Sequence, residues 1–111
     1  MEQELRNNIT TFLRSAELVY TTKDYTSATI LYFKCWFAAL DLIIFRSKRK
    51  TPKDHTERFS ILKSEFPTLY LPLDKYFQVY RDTYSLHIQK DKCDEVRDYV
   101  FTIIKEQKIQ S

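Results

Sequence analysis

The stretch from residue 28 to residue 45, ATILYFKCWFAALDLIIF, decides the fold of this chain. Its only charged residues are Lys34 and Asp41, which are seven positions apart and so lie on nearly the same side of a helix. All other sides of such a helix are apolar. Two charges near the middle make a membrane span costly. We therefore expect a buried central helix over residues 25–45, with a membrane span as the alternative.

A helix that is apolar on nearly every side needs neighbours on every side. The rest of this chain of 111 residues supplies four thinner helices, which leaves little surface to cover the central one. The sequence therefore predicts self-association, and a homodimer is the expected state.

The composition narrows the fold class further. The chain has no glycine and three prolines, although average usage would give roughly eight glycines. Without glycine, dinucleotide-binding loops, phosphate-binding loops and nucleophile elbows are excluded, because each needs backbone that glycine adopts most easily. Tight hairpin turns are disfavoured for the same reason. An all-α fold in a single domain over residues 1–111 remains.

Apolar residues at helical spacing divide this domain into about five helices, arranged as an up-and-down bundle. A first helix is predicted over roughly residues 3–21. Asp54 and Glu57 resemble a capping box that opens a third helix, which should stop at Pro67. The segment PTLYLPL, residues 67–73, is expected to be a connector, because prolines disfavour helix just before them. A fourth helix should begin near residue 73 and a last one should end near residue 106.

The distribution of charge along the chain bears on the cellular location of the protein and on a candidate surface for binding phosphate groups. The formal net charge is +3, and residues 46–53 carry five basic side chains and no acid. This run is either a solvated loop that complements the end of the second helix, or a contact to a phosphate backbone through Lys48, Arg49 and Lys50. Charged residues near the start, Glu2 and Glu4 among them, occupy the place where a signal peptide needs an apolar core, so we expect a cytoplasmic protein.

Two histidines are the candidates for imidazole chemistry. His55 is expected to cap the third helix or to lie in solvent, with substrate contact as the alternative. His87 follows Arg81 by six residues, and on a continuous helix their side chains would point about 120° apart. The two therefore share one phosphate only if the helix ends or bends near His87, or if a twofold axis brings two subunits together.

The sequence resembles the HEPN domains, which are helical bundles with an arginine, a polar residue and a histidine a few positions later. Here the motif is Arg81, Asp82, then four residues, then His87. The long second helix, the TPKDH entry into the third helix and the place of the motif near the end of the fourth helix are similar to that family over essentially the whole chain.

The resemblance implies an antiparallel dimer whose two motifs face one cleft, and in many members a metal-independent ribonuclease. Arg81 would then hold the scissile phosphate, His87 would act as general base or acid, and Asp82 would orient the site. Independently of the resemblance, Tyr84 is a candidate to stack on a base beside the basic run, with a place in the core as the alternative. The resemblance also implies a role as the toxin of a toxin–antitoxin pair, with a nucleotidyltransferase antitoxin as partner. Toxins of that subgroup often carry a tyrosine two residues after the histidine, where this chain has Gln89, so control by modification of that tyrosine, and membership of the subgroup, are in doubt.

The alternative function is a catalytically inactive dimeric helical module that binds a nucleotide or a partner protein. No cofactor and no metal are expected. The acids at the start of the last helix are more typical of electrostatic caps than of a cation site. Cys35 and Cys93 are expected to be free thiols, one buried and one at the surface, because two cysteines make no disulfide framework.

Overall fold

The computed structural model describes residues 1–109, and the last two residues of the predicted domain lie outside the described part. Over residues 1–109 the chain is all-helical and forms one bundle without strands. Its five helices are α1 (Glu2–Thr21), α2 (Tyr25–Lys48), α3 (His55–Glu65), α4 (Pro67–Asp82) and α5 (Lys90–Glu106). The predicted fold class and helix number are confirmed at this level.

Helix α2 is the core helix, as its sequence predicts. Asp24 caps its start, accepting a hydrogen bond from the Ser27 N–H at 3.0 Å, and Arg49 ends it in the left-handed conformation (φ 61°). Its length and hydropathy would also allow it to cross a membrane, but most of its side chains are buried inside the fold. Trp36 and Tyr32 are fully buried on it.

The single chain covers α2 by itself, so one reason given for a dimer does not hold. Helix α1 packs along α2 as a hairpin, α5 lies against another side, and α4 covers part of the remainder. The prediction that self-association is needed to cover α2 is wrong, because α1 and α5 are long enough to bury its apolar faces. A homodimer remains a proposal on other grounds.

Three helices are tied together by the Glu17 carboxylate of α1. Arg97 of α5 donates to it twice, through Nε at 2.8 Å and Nη2 at 2.9 Å, and the buried Tyr32 hydroxyl of α2 also donates to it. Partial burial opposes ionisation of Glu17, but these hydrogen bonds outweigh burial and hold its pKa below the usual value. Burial and the same carboxylate raise the pKa of Tyr32 far above that of free tyrosine.

Helix α4 corrects the sequence-based prediction for residues 67–73. The segment is helical, with Pro67 in the first turn, where a missing N–H is harmless, and Pro72 inside the helix. Pro72 removes one backbone hydrogen bond. Burial of Leu69 and Leu73 in the core, and an edge-on contact between Tyr70 and Phe59, favour helix there in spite of that loss.

Both cysteines are free and buried. The expectation that Cys93 lies at the surface is wrong, because its side chain is fully buried next to Thr29, where α5 packs on α2. Burial raises the pKa of the Cys35 thiol to about 12.

Candidate functional site

The chain leaves helical conformation immediately after the predicted arginine. Helix α4 ends at Asp82, residues 83–86 form turns and a bend, and His87 lies in a short segment without regular secondary structure before α5. This segment is fixed to α2, because the Ile88 N–H donates to Thr26 Oγ1 at 2.8 Å and the Ile88 side chain is buried. One of the two conditions that the Arg81 and His87 spacing demands, a helix end between them, is therefore present.

Arg81 and His87 nevertheless face different cavities within one chain. Arg81 lines a cavity between α3 and α4, whereas His87 lines two grooves around the α4–α5 turn. Asp82 shares one of those grooves with His87 and Gln89, and its Oδ1 accepts a hydrogen bond from Gln78 Nε2 at 2.9 Å. Asp82 and His87 therefore line a common groove, whereas Arg81 lines the cavity between α3 and α4.

The second groove at His87 contains the start of α2. Asp24, Thr26 and Tyr84 line it together with His87. The hydrogen bonds from Ser27 lower the pKa of the Asp24 carboxyl, and the charge of His87 adds to that effect. A carboxylate therefore stands close enough to His87 to interact with it.

The cavity of Arg81, here called the α3–α4 cavity, has a volume of about 470 Å³. It lies in the range of pockets that bind small molecules. Its lining combines aromatic rings with polar and charged side chains: His55, Thr56, Phe59, Asp74, Phe77 and Arg81. The Arg81 guanidinium carbon lies 5.4 Å from the centre of the Phe77 ring. Within residues 1–109, Arg81 has no carboxylate at ion-pair distance.

Behind this cavity runs a chain of three side chains that sequence reasoning missed. Arg58 of α3 donates to both carboxylate oxygens of Asp41 on α2, through Nε at 2.7 Å and Nη2 at 2.9 Å. Its remaining nitrogen, Nη1, lies 2.6 Å from Nδ1 of His55. Arg58 is only 8% exposed. Asp41 is the only acid within residues 28–45. Its place in this apolar stretch is the sequence signal from which a buried cationic partner could have been inferred.

His55 is neither a cap nor a solvated residue, so that expectation is wrong. Asp54 is the helix cap, and its carboxylate accepts from the Glu57 N–H at 2.8 Å. The His55 ring is half-buried and packs against aromatic rings, with its centre 4.7 Å from that of Phe37 and 5.6 Å from that of Phe77. The alternative, that His55 contacts a ligand, stays a prediction; the structure places His55 in the lining of the α3–α4 cavity.

Burial in this aromatic cluster lowers the pKa of His55, and the positive charge of Arg58 lowers it further. The carboxylates of Asp41 and Asp54 act in the opposite direction and are outweighed. His55 is accordingly neutral near pH 7.

The predicted substrate-binding residues are dispersed. Lys48 is the last residue of α2, and its Nζ lies 2.9 Å from Glu65 Oε2 on α3. Arg49 and Lys50 are exposed in the loop that follows. Tyr84 is 77% exposed, and its hydroxyl lies 3.2 Å from that of Tyr80, so of the two roles left open for Tyr84 the core position is wrong.

Among residues 1–109, no three histidine, cysteine, aspartate or glutamate side chains form a group that could hold a metal ion. No family model matches the chain, and no curated protein or solved structure matches it.

Proposed function

We propose that this protein is a dimeric, cytoplasmic RNA-binding protein of the HEPN kind that cleaves single-stranded RNA without a metal ion. The observation that carries the proposal is the end of α4 at Asp82, which places exposed Arg81 in the last helical turn and exposed His87 beyond it. A guanidinium without an ion pair among residues 1–109 and an accessible imidazole then lie at the same end of one helix.

The chemistry assigned to these residues is an internal transesterification. The ribose 2′-oxygen attacks the neighbouring phosphorus, the bond from phosphorus to the 5′-oxygen breaks, and a 2′,3′-cyclic phosphate forms. His87 takes the proton of the 2′-hydroxyl or gives one to the departing 5′-oxygen. Arg81 stabilises the negative charge that grows on the phosphate oxygens. Asp82, beside His87, orients the site.

This assignment requires a dimer, because one chain holds Arg81 and His87 in different cavities. In a twofold assembly, Arg81 of one subunit and the equivalent of His87 from the other complete one site. Tyr84 and Leu86, which are exposed apolar side chains on either side of Ser85, offer contact surface next to His87. Tyr84 is also available to stack on an unpaired base.

The test is cleavage of single-stranded RNA in excess EDTA, with detection of the cyclic phosphate end. We expect Arg81→Ala and His87→Ala each to lower the rate by at least about 10²-fold, the usual scale for lost acid–base catalysis or charge stabilisation. Thermal stability should remain that of the wild type, because both side chains are exposed. Purified protein that cleaves no RNA, or cleaves it equally well without His87, contradicts the proposal.

Mixing the two inactive variants tests whether the site is shared between subunits. A dimer with one Arg81→Ala chain and one His87→Ala chain has one intact composite site, so an equimolar mixture should recover up to about a quarter of wild-type activity. No recovery would mean that each chain works alone. Light scattering that shows only a 13.5 kDa monomer would remove the composite site altogether.

The separation of Arg81 from His87 favours a second candidate, a dimeric module that binds without catalysis. Such a module would bind a nucleotide or a partner protein and would leave RNA intact. Binding of labelled RNA or nucleotide together with no cleavage at any pH from 5 to 9 would support it.

A further inference from the structure

The α3–α4 cavity contains a second imidazole that the proposed cleavage chemistry does not use. His55 from α3 and Arg81 from α4 line this one cavity, whereas His87 lies elsewhere in the same chain. We infer that the α3–α4 cavity is a phosphodiester subsite for single-stranded RNA, in which Arg81 supplies the positive charge and His55 supplies a hydrogen bond from Nε2. This inference rests on the proposed function and names how its substrate is held.

The Asp41–Arg58–His55 chain fixes which nitrogen of His55 carries the proton. A guanidinium has only donors, so Arg58 Nη1 donates to Nδ1 of His55 across their 2.6 Å contact. Nδ1 must then present a lone pair, and the neutral ring carries its proton on Nε2. Asp41 holds the guanidinium by its other two nitrogens, which prevents Arg58 from turning away.

This arrangement makes His55 a hydrogen-bond donor and removes it as a base. Nε2 is the only ring nitrogen left for a ligand, and within residues 1–109 it has no partner. Because burial and Arg58 disfavour a second proton, the donor is present without a change in charge near pH 7. A phosphate oxygen, which only accepts hydrogen bonds, fits this donor.

Helix α4 places a positive and a negative charge at opposite ends of the cavity. Asp74, Phe77 and Arg81 are three and four residues apart and so lie on one face of the helix. Asp74 and Arg81 are separated by about 10 Å along the axis, which keeps the carboxylate from neutralising the guanidinium. The phosphate therefore binds at the Arg81 end, and Asp74 accepts hydrogen bonds from hydroxyl or amino groups of the adjoining nucleoside.

The aromatic lining suits a single strand. Phe59 and Phe77 have ring centres 4.8 Å apart and both face the cavity, where they offer apolar surface to a base or ribose. A cavity of about 470 Å³ has room for one phosphodiester and its nucleoside, and none for a duplex.

The experiment measures binding of a 2′-O-methyl RNA tetranucleotide, which cannot be cleaved, by the 111-residue chain. His55→Asn keeps an acceptor for Arg58 but has no group at the position of Nε2, whereas His55→Gln places an amide N–H near that position. We expect His55→Asn and Arg81→Ala each to raise Kd by about ten-fold, the scale of a hydrogen bond or contact to a charged group. His55→Gln should stay within about three-fold of the wild type.

A second measurement reads the tautomer directly. The nitrogen-15 NMR shifts of His55 in the wild-type protein at pH 7 should show Nε2 protonated and Nδ1 unprotonated. This readout does not depend on any activity or on any variant folding correctly.

Several outcomes overturn the inference. They are wild-type affinity in His55→Asn, a proton on Nδ1 at pH 7, no binding of the tetranucleotide by the wild type, or inorganic phosphate binding as tightly as the tetranucleotide. Because the probe is not cleaved, each of these results is separate from the cleavage assay. RNA cleavage with unaltered binding in His55→Asn would leave the proposed function standing without this subsite.

Discussion

Arg58 and Asp41 join α3 to α2 through two parallel hydrogen bonds, Nε to Oδ1 at 2.7 Å and Nη2 to Oδ2 at 2.9 Å. The guanidinium also lies 5.0 Å from the centre of the Phe37 ring. This fork of two bonds is the geometry in which arginine and a carboxylate match best. It joins a short helix of eleven residues to the core helix and orients His55 at the same time.

Loss of one partner from this pair should be costly. We expect Asp41→Asn to lower the free energy of unfolding by about 3 kcal/mol, because it leaves the buried Arg58 without a counter-charge. Urea unfolding with an unchanged slope measures the effect. Lys34→Ala, an exposed change on the same helix, is the control and should stay within about 0.5 kcal/mol. A loss below about 1 kcal/mol in Asp41→Asn would show that the pair is not structural.

Acid should destabilise the fold through His55. Burial and Arg58 lower its folded-state pKa below 6.5, so between that lowered value and 6.5 the unfolded chain binds more protons. The contribution of neutral His55 to the free energy of unfolding is fully present above pH 6.5. It declines as the pH falls below 6.5 and is lost once the pH has fallen through the folded-state pKa. The charges of Asp41 and Asp54 raise the pKa of His55 and that of Lys34 lowers it, and together they do not reverse the lowering by burial and Arg58.

Unfolding free energies at pH 7.5, 6.5 and 5.5 check this prediction. The decline towards pH 5.5 should be smaller in His55→Gln than in the wild type. His87→Gln should retain the part of the decline that depends on His55. Equal pH profiles for His55→Gln and the wild type would count against a lowered pKa.

The Glu17 carboxylate should contribute to stability mainly by accepting the hydrogen bond of the buried Tyr32 hydroxyl. Glu17→Ala leaves the fully buried Tyr32 Oη without a partner, at a cost of about 1–3 kcal/mol. Adding Tyr32→Phe to Glu17→Ala removes the orphaned hydroxyl and should restore part of that loss. Thermal unfolding of the two single variants and the double variant measures the coupling. Strictly additive losses would contradict the assignment.

The basic residues Lys48, Arg49 and Lys50 should contribute unequally to RNA affinity. Arg49→Ala and Lys50→Ala together should lower the salt slope of binding by about 1.4, or 0.7 for each single-strand phosphate contact. Lys48→Ala should add less, because Lys48 already pairs with Glu65. Binding of RNA between 50 and 200 mM salt gives the slope, and Lys105→Ala in the last turn of α5 is the control. An unchanged slope would mean that Arg49 and Lys50 contact solvent and not RNA.

The two prolines of α4 should respond differently to replacement by alanine. Pro72→Ala restores an N–H inside the helix and should raise stability by about 1–3 kcal/mol. Pro67→Ala should change it little, because a first-turn N–H has no partner within the helix. Urea unfolding distinguishes the two. No gain from Pro72→Ala would indicate that surrounding packing requires the proline ring.

The sequence by itself determined the features that depend on neighbouring residues. Helical periodicity, the Asp54 cap and the absence of glycine are local, and they predicted the helices, several of their ends and the burial of α2. It also singled out Arg81 and His87 and the helix end that their spacing requires, although not where each side chain faces.

Only the tertiary structure determined the contacts between residues that are far apart in the sequence. Asp41 and Arg58 are seventeen positions apart, and their pairing follows from how α3 packs on α2, which no spacing rule contains. The same packing made His55 a partner of Arg81 in one cavity and left His87 in another. The packing also explains why α4 is helical on both sides of Pro72, because burial of Leu69 and Leu73 offsets the lost hydrogen bond. Local preference is a matter of fractions of a kcal/mol per residue, whereas burial in a shared core contributes about 1.5–3 kcal/mol per side chain.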